Sequence, residues 1–219
     1  MRNDTLWNLY QILDGHISTG IAIQPIFNLQ TNEIYGHEVL ARWNGFPPDY
    51  IFAFAEERNV INILEELIVA VIRKNLRYIP GRIFVNIYPS IKNPETFERL
   101  AKQNVILEIT EASAINFQGV RKLKELGFEI AIDDLGTGTA TLDSLLKLQP
   151  NYLKLDKVLT QSLALEDRNS LFKAFVDHAS RTCSKVIVEG IETAEQLEAS
   201  IKMGCHYGQG YLLGKPKLL

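Results

Sequence analysis

Short apolar runs with β-type composition recur along the chain at 21–28 (IAIQPIFN), 33–42 (EIYGHEVLAR), 82–88 (RIFVNIY), 105–110 (VILEIT), 129–134 (EIAIDD), 152–156 (YLKLD), 185–191 (KVIVEGI) and 207–213 (YGQGYLL). Runs of this length and composition predict strands. Segments with helical spacing separate most of them, at about 49–77, 94–102, 113–126, 140–148, 158–182 and 194–203, and a helix over 4–15 precedes the first strand. Within 158–182, Leu159, Leu163, Leu171, Phe172, Phe175 and Val176 fall on one helical stripe.

Strand–helix alternation implies parallel strands joined by crossover helices. Eight strands in 219 residues suit a (β/α)8 TIM-type barrel in one domain spanning 1–219. One connection departs from the pattern. The first two strands are joined only by LQTNE, too short for a helical crossover, so they should form a hairpin with an antiparallel first strand. A doubly wound open sheet is the competing architecture, but no glycine-rich phosphate fingerprint follows the first strand.

Each strand delivers polar residues at its end: Glu38 and Arg42 on the second, Asn86 on the third, Glu108 then Glu111 on the fourth, Asp133 and Asp134 on the fifth. Lys154 and Asp156 follow on the sixth, Glu189 then Glu192 on the seventh, and Gln209 on the eighth. In a parallel barrel these ends share the face where barrel enzymes place their chemistry. Converging carboxylates repel in a low-dielectric site, and bound divalent cations remove that repulsion. Oxygen donors without soft sulfur favour Mg²⁺ or Mn²⁺ over zinc. Adjacent Asp133 and Asp134 could serve two ions, the arrangement used for in-line displacement at phosphorus. Taken singly, Glu108 reads as readily as a helix cap or solvated charge, Asp133–Asp134 as a loop cap pair, Lys154 as a snorkelling lysine, and Gly136 and Gly138 as turn residues. A purely structural account does not explain why consecutive strands repeat the pattern.

Composition changes this picture little. Hydrophobic residues make up 46% and charged residues 22%, as in ordinary soluble domains. No apolar run is long enough to span a bilayer and the first residues lack a signal-peptide layout, so the expected location is the cytoplasm, with no membrane partner. Cys183 and Cys205 are then expected as free thiols. A net charge of −3 argues against DNA or other broad nucleic-acid binding, but not against a small anion held by local cations. His37 should point away from Glu38 and pack; His206 is expected as a surface histidine.

In combination these residues resemble the EAL domain, the cyclic di-GMP phosphodiesterase family, over about residues 6 to 216. QPIFNLQTNEIYGHEVLAR is similar to the family's opening strand pair with its signature glutamate and arginine, FVNIYPS to the asparagine strand, and LEITE to its E-L-T-E segment. AIDDLGTGTATLDSLLKLQPNYLKLD is similar to the double-aspartate strand, its loop and the lysine strand; VIVEGIET and GCHYGQGYLLGKP to the last two strands.

The resemblance implies a modified barrel that hydrolyses one phosphodiester of cyclic di-GMP to linear pGpG with two Mg²⁺ or Mn²⁺ ions. Glu38, Asn86, Glu108 and Asp133 would hold the first metal. Asp133 or Asp134, with Glu189, would hold the second, and Glu189 is also a candidate general base. Lys154 would orient the attacking water, and Arg42 would contact a ligand phosphate. Gln24, Leu40 and Gln209 would line the dinucleotide pocket. Glu111 would anchor the loop after the fifth strand, with Asp156 and Glu192 in support. Family analogy also suggests a homodimer. The chain departs from the family pattern in reading EVL rather than E-A-L, in Leu135, in the TGTATL loop, and in a short WNGFPPDY stretch after Arg42. The competing functions are a cyclic di-GMP receptor without turnover and a protein-interaction module. Retention of Glu38, Asn86, Glu108, Asp133, Asp134, Lys154 and Glu189 favours the enzyme.

Overall fold

A computed structural model describes residues 2–43, 46–101, 103–110, 115–136, 142–162 and 169–219. Helix α1 (Arg2–Leu13) leads into strands β1 (Gly20–Asn28) and β2 (Ile34–Arg42), helices α2 (Pro48–Glu57) and α3 (Ile61–Asn75), and β3 (Arg82–Ile87). A 3-10 segment (Pro94–Leu100) connects β3 to β4 (Val105–Thr110), followed by α4 (Phe117–Glu125) and β5 (Glu129–Leu135). The remainder is α5 (Leu142–Leu148), β6 (Tyr152–Leu155), α6 (Lys157–Ser162), α7 (Asn169–Thr182), β7 (Lys185–Val188), α8 (Ala194–Lys202), β8 (Tyr207–Gly208) and a short β9 (Lys217–Leu218).

The strands run in the order β2 to β8, then β1, and β1 also pairs with β2, which closes an eight-stranded barrel. From β2 to β8 every neighbouring pair is parallel, whereas β1 is antiparallel to β2, β8 and β9. The hairpin follows from the five-residue connection. Asn28 Oδ1 accepts the amides of Gln30 and Thr31, and Asn32 takes a left-handed φ of 57°.

Apolar residues form two cores. One lies between the strands and the surrounding helices and includes Val39, Val85, Leu107, Ile132, Leu153 and Val188. The other fills the barrel itself: Ile26, Phe84, Ile106, Ala131, Tyr152 and Ile187, with Tyr35 and Tyr207 packed against them. Tyr35 and Tyr152 share a hydroxyl–hydroxyl bond of 2.7 Å, which satisfies both polar tips in that interior.

Several boundaries differ from the sequence pattern. The helix expected over 49–77 breaks between α2 and α3, where Asn59 adopts φ 58° and the amides of Arg58 and Asn59 close the first helix. The 94–102 segment winds as 3-10 rather than α-helix. The 158–182 stripe divides into α6 and α7, and Leu163 lies outside the described residues. The eighth strand ends at Gly208 instead of 213, because Gly210 sits against the backbone of Ile191. There a turn begins, with the amides of Leu213 and Gly214 donating to the Gly210 carbonyl.

Candidate active site

The barrel interior is layered by strand alternation. Two residues beyond the apolar floor on each parallel strand stands a polar residue: Asn86 after Phe84, Glu108 after Ile106, Asp133 after Ala131, Lys154 after Tyr152, Glu189 after Ile187 and Gln209 after Tyr207. On the reversed strand β1 the step runs backwards, from Ile26 to Gln24, which pairs directly with Glu38. Period-two side-chain alternation alone puts all eight on the inner face.

Lys154 is the hub. Its ammonium is fully buried and lies 2.8 Å from Glu108 Oε1, 2.9 Å from Glu189 Oε1, 3.0 Å from Asp133 Oδ1 and 3.7 Å from Glu38 Oε2. Glu38 is further fixed by Gln209 Nε2, which donates to Oε2 at 2.7 Å, and by Asn86 Nδ2, which donates to Oε1 at 3.0 Å. Burial alone would discharge Lys154, but Asp133, Glu108, Glu189 and Glu38 outweigh it and hold the group well above the usual lysine range. Desolvation pushes Glu108 well above the carboxylate range, against the pull of Lys154. Desolvation, then repulsion from Asp133, does the same to Glu189.

Asp134 should point outward by simple alternation, since Asp133 points in. The β5–β6 register shifts between Ile132 and Leu135, and Asp134 takes φ 56°. This bulge turns the second carboxylate back toward the site. Asp133 Oδ1 accepts the Asp134 amide at 3.0 Å and fixes the kink. Partial desolvation, then the Asp133 charge, raise Asp134 to about 6.

Among the described residues, two groups of carboxylates could hold metal ions: Glu38, Glu108 and Asp133, and Asp133, Asp134 and Glu189. Within each group, ligand oxygens lie within 4.8 Å of one another, and Asp133 is common to both. The donors fit a hard divalent cation, being oxygens without sulfur or imidazole. One ammonium does not neutralise four carboxylates, and Glu108 Oε2 is buried without a hydrogen-bond partner. That residual electron-rich demand is what a cation would satisfy.

Beside this layer opens a pocket of about 600 Å³. It reaches Glu38, Asn86, Asp133 and Asp134, and its walls include Leu40 and Arg42. Arg42 Nη1 donates to the Ala41 carbonyl at 2.8 Å. Gln24 and Gln209, expected as pocket lining, are buried within the layer. Gln24 donates to the Gly214 carbonyl at 3.0 Å, and Gln209 holds Glu38. Asp156 Oδ1 accepts the amide of Val158 at the start of α6, so it caps that helix. Glu192 is exposed and its amide donates to Gln196 Oε1 at 2.7 Å, and Glu111 lies outside the described residues. His37 packs as expected, with Nδ1 3.0 Å from the Pro80 carbonyl. His206 is half-buried rather than on the surface, and its Nδ1 accepts the Val186 amide at 3.2 Å.

Sequence reasoning passed over Phe52, Tyr88 and Thr110, all pocket residues. One further step of two along the strands would have found two of them: Tyr88 follows Asn86, and Thr110 follows Glu108. It also passed over Glu65 of α3, a buried acid that accepts the Tyr88 amide at 3.2 Å behind the pocket wall. Burial pushes Glu65 up to about 7.

Comparison with known proteins gives consistent matches. A sequence model of the EAL domain matches residues 18–216. The chain is 31% identical over 215 residues to the probable cyclic di-GMP phosphodiesterase PdeD of Escherichia coli, covering 88% of this chain and 40% of that protein. It is 32% identical over 241 residues to the cyclic di-GMP phosphodiesterase PA2567 of Pseudomonas aeruginosa, covering 97% and 41%. The chain therefore spans about two fifths of the length of these relatives. The solved structure of the PaMucR phosphodiesterase in complex with c-di-GMP superimposes with a TM-score of 0.82 at 25% identity, covering 97% of each chain.

Proposed function

This chain belongs to the EAL domain family, and from that premise we propose that it hydrolyses cyclic di-GMP to linear pGpG, lowering the concentration of that second messenger. The observation that carries the reading is the polar layer: a buried ammonium among four carboxylates, next to a pocket with an arginine in its wall. A pocket of about 600 Å³ is within the range for small-molecule ligands.

Two Mg²⁺ or Mn²⁺ ions, one held by Glu38, Asn86, Glu108 and Asp133 and one by Asp133, Asp134 and Glu189, would supply Lewis-acid activation and charge stabilisation when bound. The chain's own residues do the rest. Arg42 offers a planar fork to a phosphate oxygen and sets the ligand's register. Lys154 stays charged in the bottom of the site, orients the attacking water and offsets charge gathering at phosphorus. Glu189, which would be ionised where bound cations offset its desolvation and the repulsion from Asp133, would accept the water proton as the new O–P bond forms. The bond from phosphorus to the 3′ oxygen breaks, and the released oxygen is protonated from solvent. Gln209 and Asn86 act on Glu38, holding its carboxylate in one orientation.

The test is incubation of purified protein with cyclic di-GMP and Mn²⁺ or Mg²⁺, with nucleotides separated over time. Conversion to pGpG that EDTA abolishes, and that Glu38→Ala loses, is the expected result. Ligand binding without product would identify a receptor instead, and absence of both would identify a protein-interaction module.

A further inference from the structure

A second concavity, of about 770 Å³, lies at the opposite end of the barrel, where β3 and β4 begin. Among the described residues, four exposed cations rim this open concavity: Arg73 and Lys74 from the last turn of α3, Arg77 just beyond it, and Arg99 from the 3-10 segment before β4. Gln103 and Asn104 add amides, Leu76, Ile79 and Ile83 supply apolar surface, and among the described residues no carboxylate lines the concavity.

Some other cations of the chain are already partnered. Arg82 pairs with Glu129, Lys122 pairs with Glu95, and Lys124 donates to the carbonyls of Leu148 and Gln149. The four in the cavity have no ion pair or hydrogen bond among the described residues; Arg77 only stacks its guanidinium on Tyr78 at 4.7 Å. Helix dipoles do not balance them. A helix C-terminus carries about half a negative charge, and α3 is the α-helix that ends here, against four positives. The chain as a whole is acidic at −3, which makes this local excess run against its average.

We propose that this cavity is a binding site for a small ligand bearing a diphosphate, of nucleotide size. Arginine forks match phosphate oxygens in pairs, and a single phosphate would leave most of the four cations unmatched. The apolar side chains and the two amides suit an organic part with polar edges. The site is distinct from the polar layer, which lies at the other end of the strands.

Calorimetry with ADP and with inorganic pyrophosphate tests this, in EDTA and about 0.1 M salt, where long-range charge attraction is screened beyond roughly 10 Å. Under these conditions no turnover is read, and the substituted residues lie outside the polar layer and its pocket, so the outcome is independent of the hydrolytic function. Saturable binding of both probes is expected, with ADP at least as tight as pyrophosphate. The triple substitution Arg73→Ala, Arg77→Ala, Arg99→Ala should weaken both by a hundredfold or more, and Arg99→Gln alone by about tenfold. The single variant decides the matter if the triple variant does not fold. No saturable binding to the unmodified protein, pyrophosphate bound without ADP, or affinity unchanged in Arg99→Gln would each overturn the proposal.

Discussion

Substituting Lys154 by Met removes the buried ammonium while keeping the side chain's length and apolar stem. In the metal-free protein this leaves Glu38, Glu108, Asp133 and Glu189 facing one another with no counter-charge; three of them lie within 3.0 Å of the present ammonium. Removing one partner of a buried ion pair costs about 3–5 kcal/mol. For a chain of this size each kcal/mol moves the melting temperature by about 2–4 °C, so a fall of roughly 10 °C is expected in EDTA at pH 7. The loss should shrink as pH falls. Without Lys154 the clustered carboxylates have folded-state pKa values raised above their unfolded ones, so their protonated forms favour the fold and stability declines with rising pH. Mn²⁺ at a hundred times its dissociation constant adds about 2.7 kcal/mol to a folded protein that binds it. The Mn²⁺-induced rise in melting temperature should be larger in the variant, because ammonium and metal compete for the same oxygens. Differential scanning fluorimetry of both proteins, with EDTA and with Mn²⁺, reads all three effects. A variant melting within about 2 °C of the parent in EDTA would refute the role of Lys154 as counter-ion.

Glu65 makes a separate pH prediction. Its pKa rises from 4.5 to about 7 on folding, so its contribution is full below 4.5 and is lost as pH climbs through 7. The shift corresponds to about 3 kcal/mol. Glu65→Gln retains an acceptor for the Tyr88 amide and should be more stable than the parent at pH 8 and no more so at pH 4; equal urea midpoints at pH 8 would refute this. In Gly210→Ala the new Cβ would stand 2.1 Å from the Ile191 carbonyl oxygen, backbone that cannot swing aside, and a loss of about 3 kcal/mol is expected by thermal melting. Asp134→Gly relieves a left-handed φ worth about 1 kcal/mol, so its melting temperature should hold or rise while Mn²⁺-dependent turnover falls; retained turnover would remove Asp134 from the metal site.

The barrel was legible because its strands differ so clearly from its helices in period, and the LQTNE connection alone excluded a parallel first strand. The inner-face residues were legible for the same reason. What escaped was non-local or depended on single backbone angles. Asn59 in a left-handed conformation splits an otherwise continuous helical pattern, and close packing of Gly210 on Ile191 ends the eighth strand early. The burial of Gln24 and Gln209 depends on Gly214 and Glu38, which lie 190 and 171 residues away in sequence. The Asp134 kink required knowing that β5 slips against β6, since alternation predicts the wrong face.

Register joins the fold to the chemistry. Residues facing out of the barrel, such as Val39, Leu107, Ile132, Leu153 and Val188, alternate with Glu38, Glu108, Asp133, Lys154 and Glu189, which face in. A slip of one residue in any strand would exchange the two sets, burying a charge among helices and removing a group from the site. Burying those outward apolar side chains, at roughly 1.5–3 kcal/mol each, therefore holds every polar group at its height above the floor. The irregularity in β5 fits the same logic. Asp134, though exposed, comes within reach of Asp133 and Glu189 because a local bulge changes the count in β5.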